Sequence, residues 1–145
     1  MAQSNRSAEA VWRGAGKDGK GTLTSSTGTL SGVPYSAGMR FGDEAGTNPE
    51  ELIAAAHAGC FSMALAFALS GAGHPPEELR TTAKVKMEKA DGGGFRISAV
   101  ELTLTGKVPG LSEEEFRKHA EGAKAGCPVS KVLNADITLN AQLSS

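Results

Sequence analysis

A long apolar segment dominates the pattern of hydrophobic and polar positions along the chain. Residues 52–69 contain no charged side chain. Asn48 can accept hydrogen bonds from first-turn amides, and Pro49 fits the first position of a helix. Glu51 stands at the capping-box position, so the pattern predicts a helix over residues 48–73.

The predicted helix is apolar on every side. Its uncharged run is long enough for a borderline membrane span. Alanine rather than leucine prevails in the run, however, and the remaining chain alternates like a soluble sheet protein. We therefore interpret the segment as a buried central helix that does not lie in a membrane. One sheet from the same chain covers such a helix poorly, so we expect a partner subunit on its other side.

Alternation of apolar and polar positions predicts strands on both sides of this helix. Between the first two strands, Asp18-Gly19 is typical of a tight hairpin turn that needs a positive φ. In the strand at 95–105, the apolar residues change from odd-numbered to even-numbered positions between Ala99 and Val100, and this change predicts a β-bulge. The predicted strands span residues 8–13, 20–25, 29–30, 80–89, 95–105 and 136–143.

Two further helices are predicted near the C-terminus. Ser112 and Glu115 form a capping box, and Pro128 suits the first position of another helix. The order βββ-α-ββ-α-α-β predicts an α+β fold in which an antiparallel sheet packs on the central helix. We expect a single domain, 1–145, made of a hairpin and loop at 1–47, the central helix at 48–73, and a ββααβ part at 74–145.

Composition narrows the class of function. The 145-residue chain has a net charge of −1 and no block of Lys or Arg, which disfavours nucleic acid or an anionic membrane surface as a partner. Its N-terminus lacks the apolar segment of a secretory signal, so a cytoplasmic protein is expected. The two cysteines form no CxxC or zinc-type cluster, and no metal, flavin or nucleotide motif occurs. We therefore expect no cofactor.

Two separated motifs carry a family resemblance. They are TNPEELIAAAHAGCFSMAL around Cys60 and GCPVSKVL around Cys127. Together they closely resemble the OsmC/Ohr family of thiol-dependent organic hydroperoxide reductases, from about Arg40 to the C-terminus, and His57 is typical of the OsmC branch. The resemblance implies an OsmC-like fold, an intertwined homodimer with active sites at the subunit interface, and an antioxidant peroxidase of oxidative and osmotic stress.

The resemblance also implies roles for individual residues. Cys60 matches the peroxidatic cysteine, and Cys127 matches the resolving cysteine that converts its sulfenic acid into a redox-active disulfide. An external dithiol, such as a lipoyl group, then reduces this bond. Arg40 matches the residue that stabilises thiolate and peroxide, and Glu50 matches the acid that positions it. The loop around Arg40 is loosely patterned, so three other arginines stay open: Arg6, Arg13 and Arg80.

The peroxidatic role requires Cys60 to react as a thiolate. The thiolate is the nucleophile, and a cysteine with an ordinary pKa of ~8.5 is mostly protonated at neutral pH, so a cation is needed nearby. Glu50, which would hold that cation, lies ten residues before Cys60. At ~1.5 Å per residue the two backbones are about 15 Å apart. We therefore expect Glu50 to serve the partner's site, with two helices crossing near Ala55 on small side chains.

The remaining candidates are weaker. His57, one turn before Cys60, is interpreted as a helix histidine satisfied by a hydrogen bond, because the scheme implied by the resemblance needs no further base. Five apolar side chains could form a pocket that favours organic peroxides over hydrogen peroxide, although most of them are expected to be core. They are Met39, Phe41, Phe61, Met63 and Phe67.

Two other functions stay open at this point. A dimeric small-molecule-binding or stress-structural protein could keep the fold and use its cysteines only for packing. A general thiol-disulfide oxidoreductase would act on disulfides without peroxide, and the absence of CxxC disfavours it. We expect a peroxidase that reduces organic hydroperoxides to alcohols, and hydrogen peroxide less well.

Overall fold

The computed structural model describes residues 4–144. The chain divides into two compact units, with the division after Leu52, inside the central helix. Each unit contains one three-stranded sheet. The predicted α+β class is confirmed by these elements, and a single domain over 1–145 stays a prediction.

The first unit begins with the predicted hairpin. β1 (Ala8–Arg13) pairs antiparallel with β2 (Lys20–Ser25), and β2 pairs antiparallel with β3 (Val33–Tyr35). A short helix, α1 (Ala37–Phe41), follows, with Ser36 as its N-cap. The sequence predicted only a loop there, because five residues show too little periodicity to identify a helix.

Two details of the predicted hairpin region are wrong. The positive φ in the β1–β2 connection lies at Gly14, at 95°, and not at Gly19. Gly19 is needed for space instead, because a Cβ there would collide with main-chain oxygens. The third strand does not lie at residues 29–30, where the chain turns. The amide of Ser25 donates to the carbonyl of Leu30 at 2.8 Å and closes that turn.

The central helix, α2, spans Pro49–Gly71. The side chain of Asn48 accepts a hydrogen bond from the amide of Glu51 at 2.9 Å, which confirms the predicted N-cap. The carboxylate of Glu51 accepts a hydrogen bond from the hydroxyl of Thr47 at 2.7 Å. The Asn48 contact gives one of the free first-turn amides a partner, and the Thr47 contact joins the first turn to the residue before its cap.

The second unit contains a mixed sheet. β4 (Glu78–Lys89) pairs antiparallel with β5 (Phe95–Lys107), whereas β6 (Asp136–Leu143) pairs parallel with β5. The expectation of antiparallel pairs throughout is therefore wrong for β6. Two helices, α3 (Glu113–Gly126) and α4 (Pro128–Val132), lie between β5 and β6 in the chain. Such a crossover connection allows two strands to run in the same direction.

The predicted β-bulge is confirmed near its expected position. Lys86 pairs with Ala99 and Met87 pairs with Ile97, so Ser98 is an extra residue in β5. The bulge restores the parity that directs the following apolar residues of β5 into the core. Those core residues are Val100, Leu102 and Leu104.

One stripe of α2 belongs to the core of the second unit. His57, Phe61, Leu65 and Leu69 recur every four residues and are buried. The apolar members of this stripe join β5 side chains and the buried stripe of α3 in one cluster. That stripe of α3 consists of Phe116, Ala120 and Ala123.

The opposite side of α2 is exposed. Met63 is 62% exposed and Phe67 is 73% exposed. By length and mean hydropathy, 1.9 over its most apolar window, α2 is also able to cross a membrane. The core helix of a folded domain meets the same criterion of length and hydropathy. The chain alone thus covers α2 on one side.

Candidate active site

The fold brings the two cysteines together. The Sγ atoms of Cys60 and Cys127 lie 2.9 Å apart. Both are free thiols, with Cys60 half-buried in the middle of α2 and Cys127 fully buried at the start of α4. A nucleophilic sulfur and a second sulfur able to attack it are therefore within reach of each other.

The local sequence explains how Cys127 is held. The following Pro128 disfavours helical backbone at Cys127, which has φ −61° and ψ 124° and separates α3 from α4. The amide of Cys127 donates to the carbonyl of Ala123 at 2.8 Å, and its carbonyl accepts from the amide of Lys131 at 3.1 Å. Cys127 thus ends one helix and begins the next, and its backbone is fixed at both junctions.

The two thiols differ in acidity. Burial, with the neighbouring Cys127 thiol, raises the pKa of Cys60, although the amide of Val129 acts in the opposite direction. Burial also acts to raise the pKa of Cys127, but the neighbouring Cys60 thiol and the polar groups of Ser130 and Val129 outweigh it, so the pKa of Cys127 is lowered. Cys60 needs a further group to favour its thiolate.

A histidine lies beside this pair. His57 is fully buried, and its Nε2 lies 2.7 Å from the hydroxyl oxygen of Ser130. The prediction that a hydrogen bond satisfies His57 is confirmed for Nε2. Ser130 was missed at the sequence level. Its position three residues after Cys127, at the start of a helix, was the available signal, since such a residue can reach back to the cap.

Arg40 and Glu50 form an ion pair in the first unit. Nε of Arg40 lies 3.0 Å and 3.1 Å from the two carboxylate oxygens of Glu50, and a terminal nitrogen lies 2.6 Å from one of them. The guanidinium also lies 5.2 Å from the ring centroid of Phe41. Both partners of the ion pair come from one chain. A bidentate pair of this kind orients the guanidinium more strongly than a single contact does.

The three alternative arginines are held less firmly. Arg80 makes a single contact with Glu78 at 3.4 Å and its side chain is 75% exposed. Arg6 donates to the carbonyl of the adjacent Asn5, and Arg13 is exposed on β1. None of these contacts is a bidentate ion pair like the one between Arg40 and Glu50.

The five residues expected to form an apolar pocket lie in different environments. Phe61 is fully buried in the core of the second unit, so it presents no surface to a substrate. Met63 and Phe67 are exposed on α2. In the first unit, Phe41 is 54% exposed and Met39 is half-buried. Phe61 is thus a core residue, and the other four are compatible with a pocket wall.

No metal site accompanies the thiols in the part of the chain that the structure describes. Within residues 4–144, no group of three or more His, Cys, Asp or Glu side chains is arranged to hold a metal ion.

Comparison with known proteins agrees with this chemistry. The OsmC family profile, described as OsmC-like protein, matches residues 42–142. The chain is 48% identical over 141 residues to peroxiredoxin OsmC of Escherichia coli strain K12, covering 97% of this chain and 98% of that protein. It is 34% identical over 114 residues to an organic hydroperoxide resistance protein of Xanthomonas axonopodis pv. citri, covering 74% and 73% of the two chains.

Solved structures show the same fold. An organic hydroperoxide resistance protein from Elizabethkingia anophelis matches with a TM-score of 0.75 at 30% identity, covering 99% of this chain and 98% of that one. The organic hydroperoxide resistance protein OhrB of Bacillus subtilis matches with a TM-score of 0.72 at 28% identity, covering 93% and 97%. The predicted family resemblance is confirmed: this chain belongs to the OsmC family.

Proposed function

We propose that this protein is a cysteine-based peroxidase that reduces organic hydroperoxides to alcohols, and hydrogen peroxide less well. The observation that carries the proposal is the 2.9 Å approach of the Cys60 and Cys127 sulfur atoms. The names of the relatives, peroxiredoxin OsmC and organic hydroperoxide resistance protein, support the same reaction.

The proposed cycle needs no atoms beyond two thiols, a peroxide and a reductant. The Cys60 thiolate attacks the terminal peroxide oxygen, so that the O–O bond breaks, Cys60 becomes a sulfenic acid and the alcohol leaves. Cys127 then attacks the sulfenic sulfur, which forms the disulfide and releases water. An external dithiol, such as a lipoyl group, reduces the disulfide by exchange and becomes oxidised itself.

Arg40 is the proposed activator of Cys60. Burial raises the pKa of Cys60 in the isolated chain, and a guanidinium would offset this by stabilising the thiolate. It would also donate to the peroxide oxygens as charge develops on them. Glu50 is proposed to hold Arg40 in the required orientation, through the bidentate ion pair described above.

The position of Glu50 supports a shared site. Glu50 and Cys60 lie ten residues apart on one continuous helix, or about 15 Å at ~1.5 Å per residue. We propose that the Arg40–Glu50 pair of each chain serves Cys60 of its partner in an intertwined homodimer. Two copies of α2 crossing near Ala55 would satisfy this geometry.

The uncovered side of α2 supports the same dimer. One side of α2 consists of small and apolar residues that are all exposed in the single chain. They are Ala55, Ala56, Gly59, Met63 and Phe67. A Cβ built at Gly59 meets no atom within 4 Å. The small residues would permit close approach of a second copy of the helix, and Met63 and Phe67 would gain an apolar neighbour.

A coupled assay tests the proposal. Purified protein is mixed with cumene hydroperoxide and dihydrolipoamide, and peroxide consumption is compared with that of the Cys60→Ser variant. We expect turnover by the wild type and background rates for the variant. Equal rates would favour a binding or structural protein with packing cysteines. Reduction of a disulfide substrate without peroxide would favour a thiol-disulfide oxidoreductase.

We also expect a cytoplasmic enzyme without a prosthetic group. All three steps of the proposed cycle use sulfur, oxygen and protons, and none needs a metal or organic cofactor. We expect protein that has been dialysed against a chelator to be as active as untreated protein.

A further inference from the structure

A groove runs between α2 and α3 in the second unit. Its volume is about 660 Å³, which is within the usual range of small-molecule sites. On the α2 side it is lined by Ala64, Ala68 and Ala72. On the α3 side Gly122 and Gly126 line it, and a Cβ built at either glycine meets no atom within 4 Å. Small residues on both sides therefore keep the groove open.

One end of the groove lies beside the thiol pair. Cys60, Ala64 and Ala68 recur every four residues of α2, so they share one stripe of the helix. On the other wall, Gly126 directly precedes Cys127. At ~1.5 Å per residue, the stripe extends about 12 Å from Cys60 to Ala68. A molecule whose reacting group lies at Cys60 can therefore extend along the groove.

The far end of the groove is polar. Three side chains of α3 line it, and they are Glu115, Lys118 and His119. His74 lines the same end, just beyond α2. The amide of His74 donates to the carbonyl of Leu69 at 2.8 Å, which holds the residue at the helix terminus. An ammonium and two imidazoles thus offer N–H donors to a negatively charged group.

The order of the charged residues along α3 limits where such a group binds. Lys118 and His119 lie three and four residues after Glu115, so they are one turn closer to the thiols. The ion pairs on α3 join other residues. In the part of the chain that the structure describes, Lys118 itself forms no ion pair. A ligand that extends from Cys60 therefore meets an unpaired cation before it meets the carboxylate of Glu115.

We propose that this groove is the substrate subsite of Cys60 for organic hydroperoxides that carry an acidic group at the far end of an apolar chain. The hydroperoxide group lies at Cys60, the apolar chain lies between the alanines and glycines, and Lys118 binds the acid together with His74 and His119. The groove leads from Cys60 away from Ala55, the proposed crossing point of the two helices.

The inference rests on the proposed peroxidase function and specifies its substrate class. The subsite contributes binding and selectivity only. Bonds break and form as in the cycle above, and none of the residues at the polar end is oxidised or consumed.

Two substrates that differ in charge test the polar end. Linoleic acid hydroperoxide and its methyl ester are reduced by the full-length protein, and kcat/KM for the acid is divided by kcat/KM for the ester. Lys118→Met should lower this ratio about fivefold, the upper effect of an exposed ion pair, and the change should appear in KM. Glu115→Gln should raise the ratio about twofold, because a like charge is removed. Lys107→Met, an exposed lysine outside the groove, should keep the wild-type ratio.

A larger side chain tests the apolar part of the groove. At Gly122 a leucine has open space in the single chain and favours a helix, so Gly122→Leu should fold. It should lower kcat/KM for the acid and the ester alike, by about tenfold, because it fills the space that the apolar chain needs.

Four results would overturn the inference. The first two are an unchanged ratio in Lys118→Met and unchanged kinetics in Gly122→Leu. The third is slower reduction of the disulfide by dihydrolipoamide with a normal peroxide reaction, since the groove would then serve the reductant. The fourth is loss of a dimer in Gly122→Leu, which would make the groove a subunit interface.

Binding without peroxide separates this inference from the proposed function. Decanoic acid and decanol have chains of the same length, and only the acid is charged at neutral pH. In NMR titrations the acid should bind more tightly, with shifts at the Gly122 and Gly126 amides, and this preference should fall about fivefold in Lys118→Met. If the wild type reduced no peroxide, the proposed function would fail while these shifts still tested the groove. Equal binding of the two compounds, or no shift at either glycine, would contradict the inference.

Discussion

The Sγ atoms of Cys60 and Cys127 lie 2.9 Å apart, although 67 positions separate the two residues along the chain. Both cysteines belong to the second unit, so a single chain can form the bond between them without help from a partner. The sulfur atoms need to approach by about 1 Å to reach a disulfide length of ~2.05 Å.

This proximity predicts the oxidised product. One equivalent of organic peroxide should lower the mass of the reduced wild type by two hydrogens. Cys127→Ser should instead gain one oxygen at Cys60 and then be overoxidised, because no second thiol attacks the sulfenic acid. Intact-mass spectrometry under non-reducing conditions measures both outcomes. Overoxidation of Cys60 in the wild type, with Cys127 left as a free thiol, would contradict the resolving role.

The Arg40–Glu50 pair predicts that changes at either residue slow the first step of the proposed cycle, the reaction of Cys60 with peroxide. Arg40→Met should slow the reaction of Cys60 with cumene hydroperoxide about 10²- to 10³-fold, the usual effect of removing a donor that stabilises transition-state charge. Glu50→Gln should cost less, about tenfold, because the guanidinium remains but is held less firmly. Stopped-flow measurement of the second-order rate constant gives both values. Arg80→Met is the matched control and should react like the wild type.

Exposure of the small residues on α2 predicts how the dimer can be broken. In the single chain a side chain at Gly59 has open space around it, so Gly59→Leu should fold normally. In the dimer the leucine should prevent close approach of the two helices. Size-exclusion chromatography with light scattering should show a dimeric wild type and a largely monomeric variant. Ala125→Leu, at an exposed position of α3, serves as the control, and a dimeric Gly59→Leu would place the interface elsewhere.

The pH dependence of the thiols follows from the same dimer. In monomeric Gly59→Leu, the absorbance at 240 nm should rise in two steps on either side of the ordinary cysteine pKa. The two steps belong to the coupled pair, in which the pKa of Cys127 is lowered and the pKa of Cys60 is raised. In the wild-type dimer, the upper step should move to lower pH as Arg40 stabilises the Cys60 thiolate. Identical titrations of the two proteins would show that no cation reaches Cys60 through the dimer.

Local patterns predicted the regular elements well. Three features that depend on neighbours within a few residues were visible in the sequence. They are the alternation in β4 and β5, the Asn48 cap of α2 and the bulge at Ser98. The short helix α1 was missed because five residues hold little periodicity. The positive φ at Gly14 was assigned to Gly19 because several glycines in one turn carry the same local signal.

Long-range relations were harder to predict. The parallel pairing of β5 with β6 is decided by the path of α3 and α4, which no strand pattern encodes. The Cys60–Cys127 contact followed from the family resemblance, since their spacing carries no geometric information. Ser130 was missed because its importance depends on His57, which lies 73 positions away in the sequence.

The distance between the two cysteines along the chain has a consequence for folding. A disulfide that closes a loop of this size reduces the entropy of the unfolded chain and, in the loop-closure treatment, stabilises the folded state by about 4 kcal/mol. The oxidised protein would thus unfold at a higher temperature than the reduced one. Each turn of the proposed cycle would then switch the second unit between an oxidised form with a higher unfolding temperature and a reduced form with a lower one.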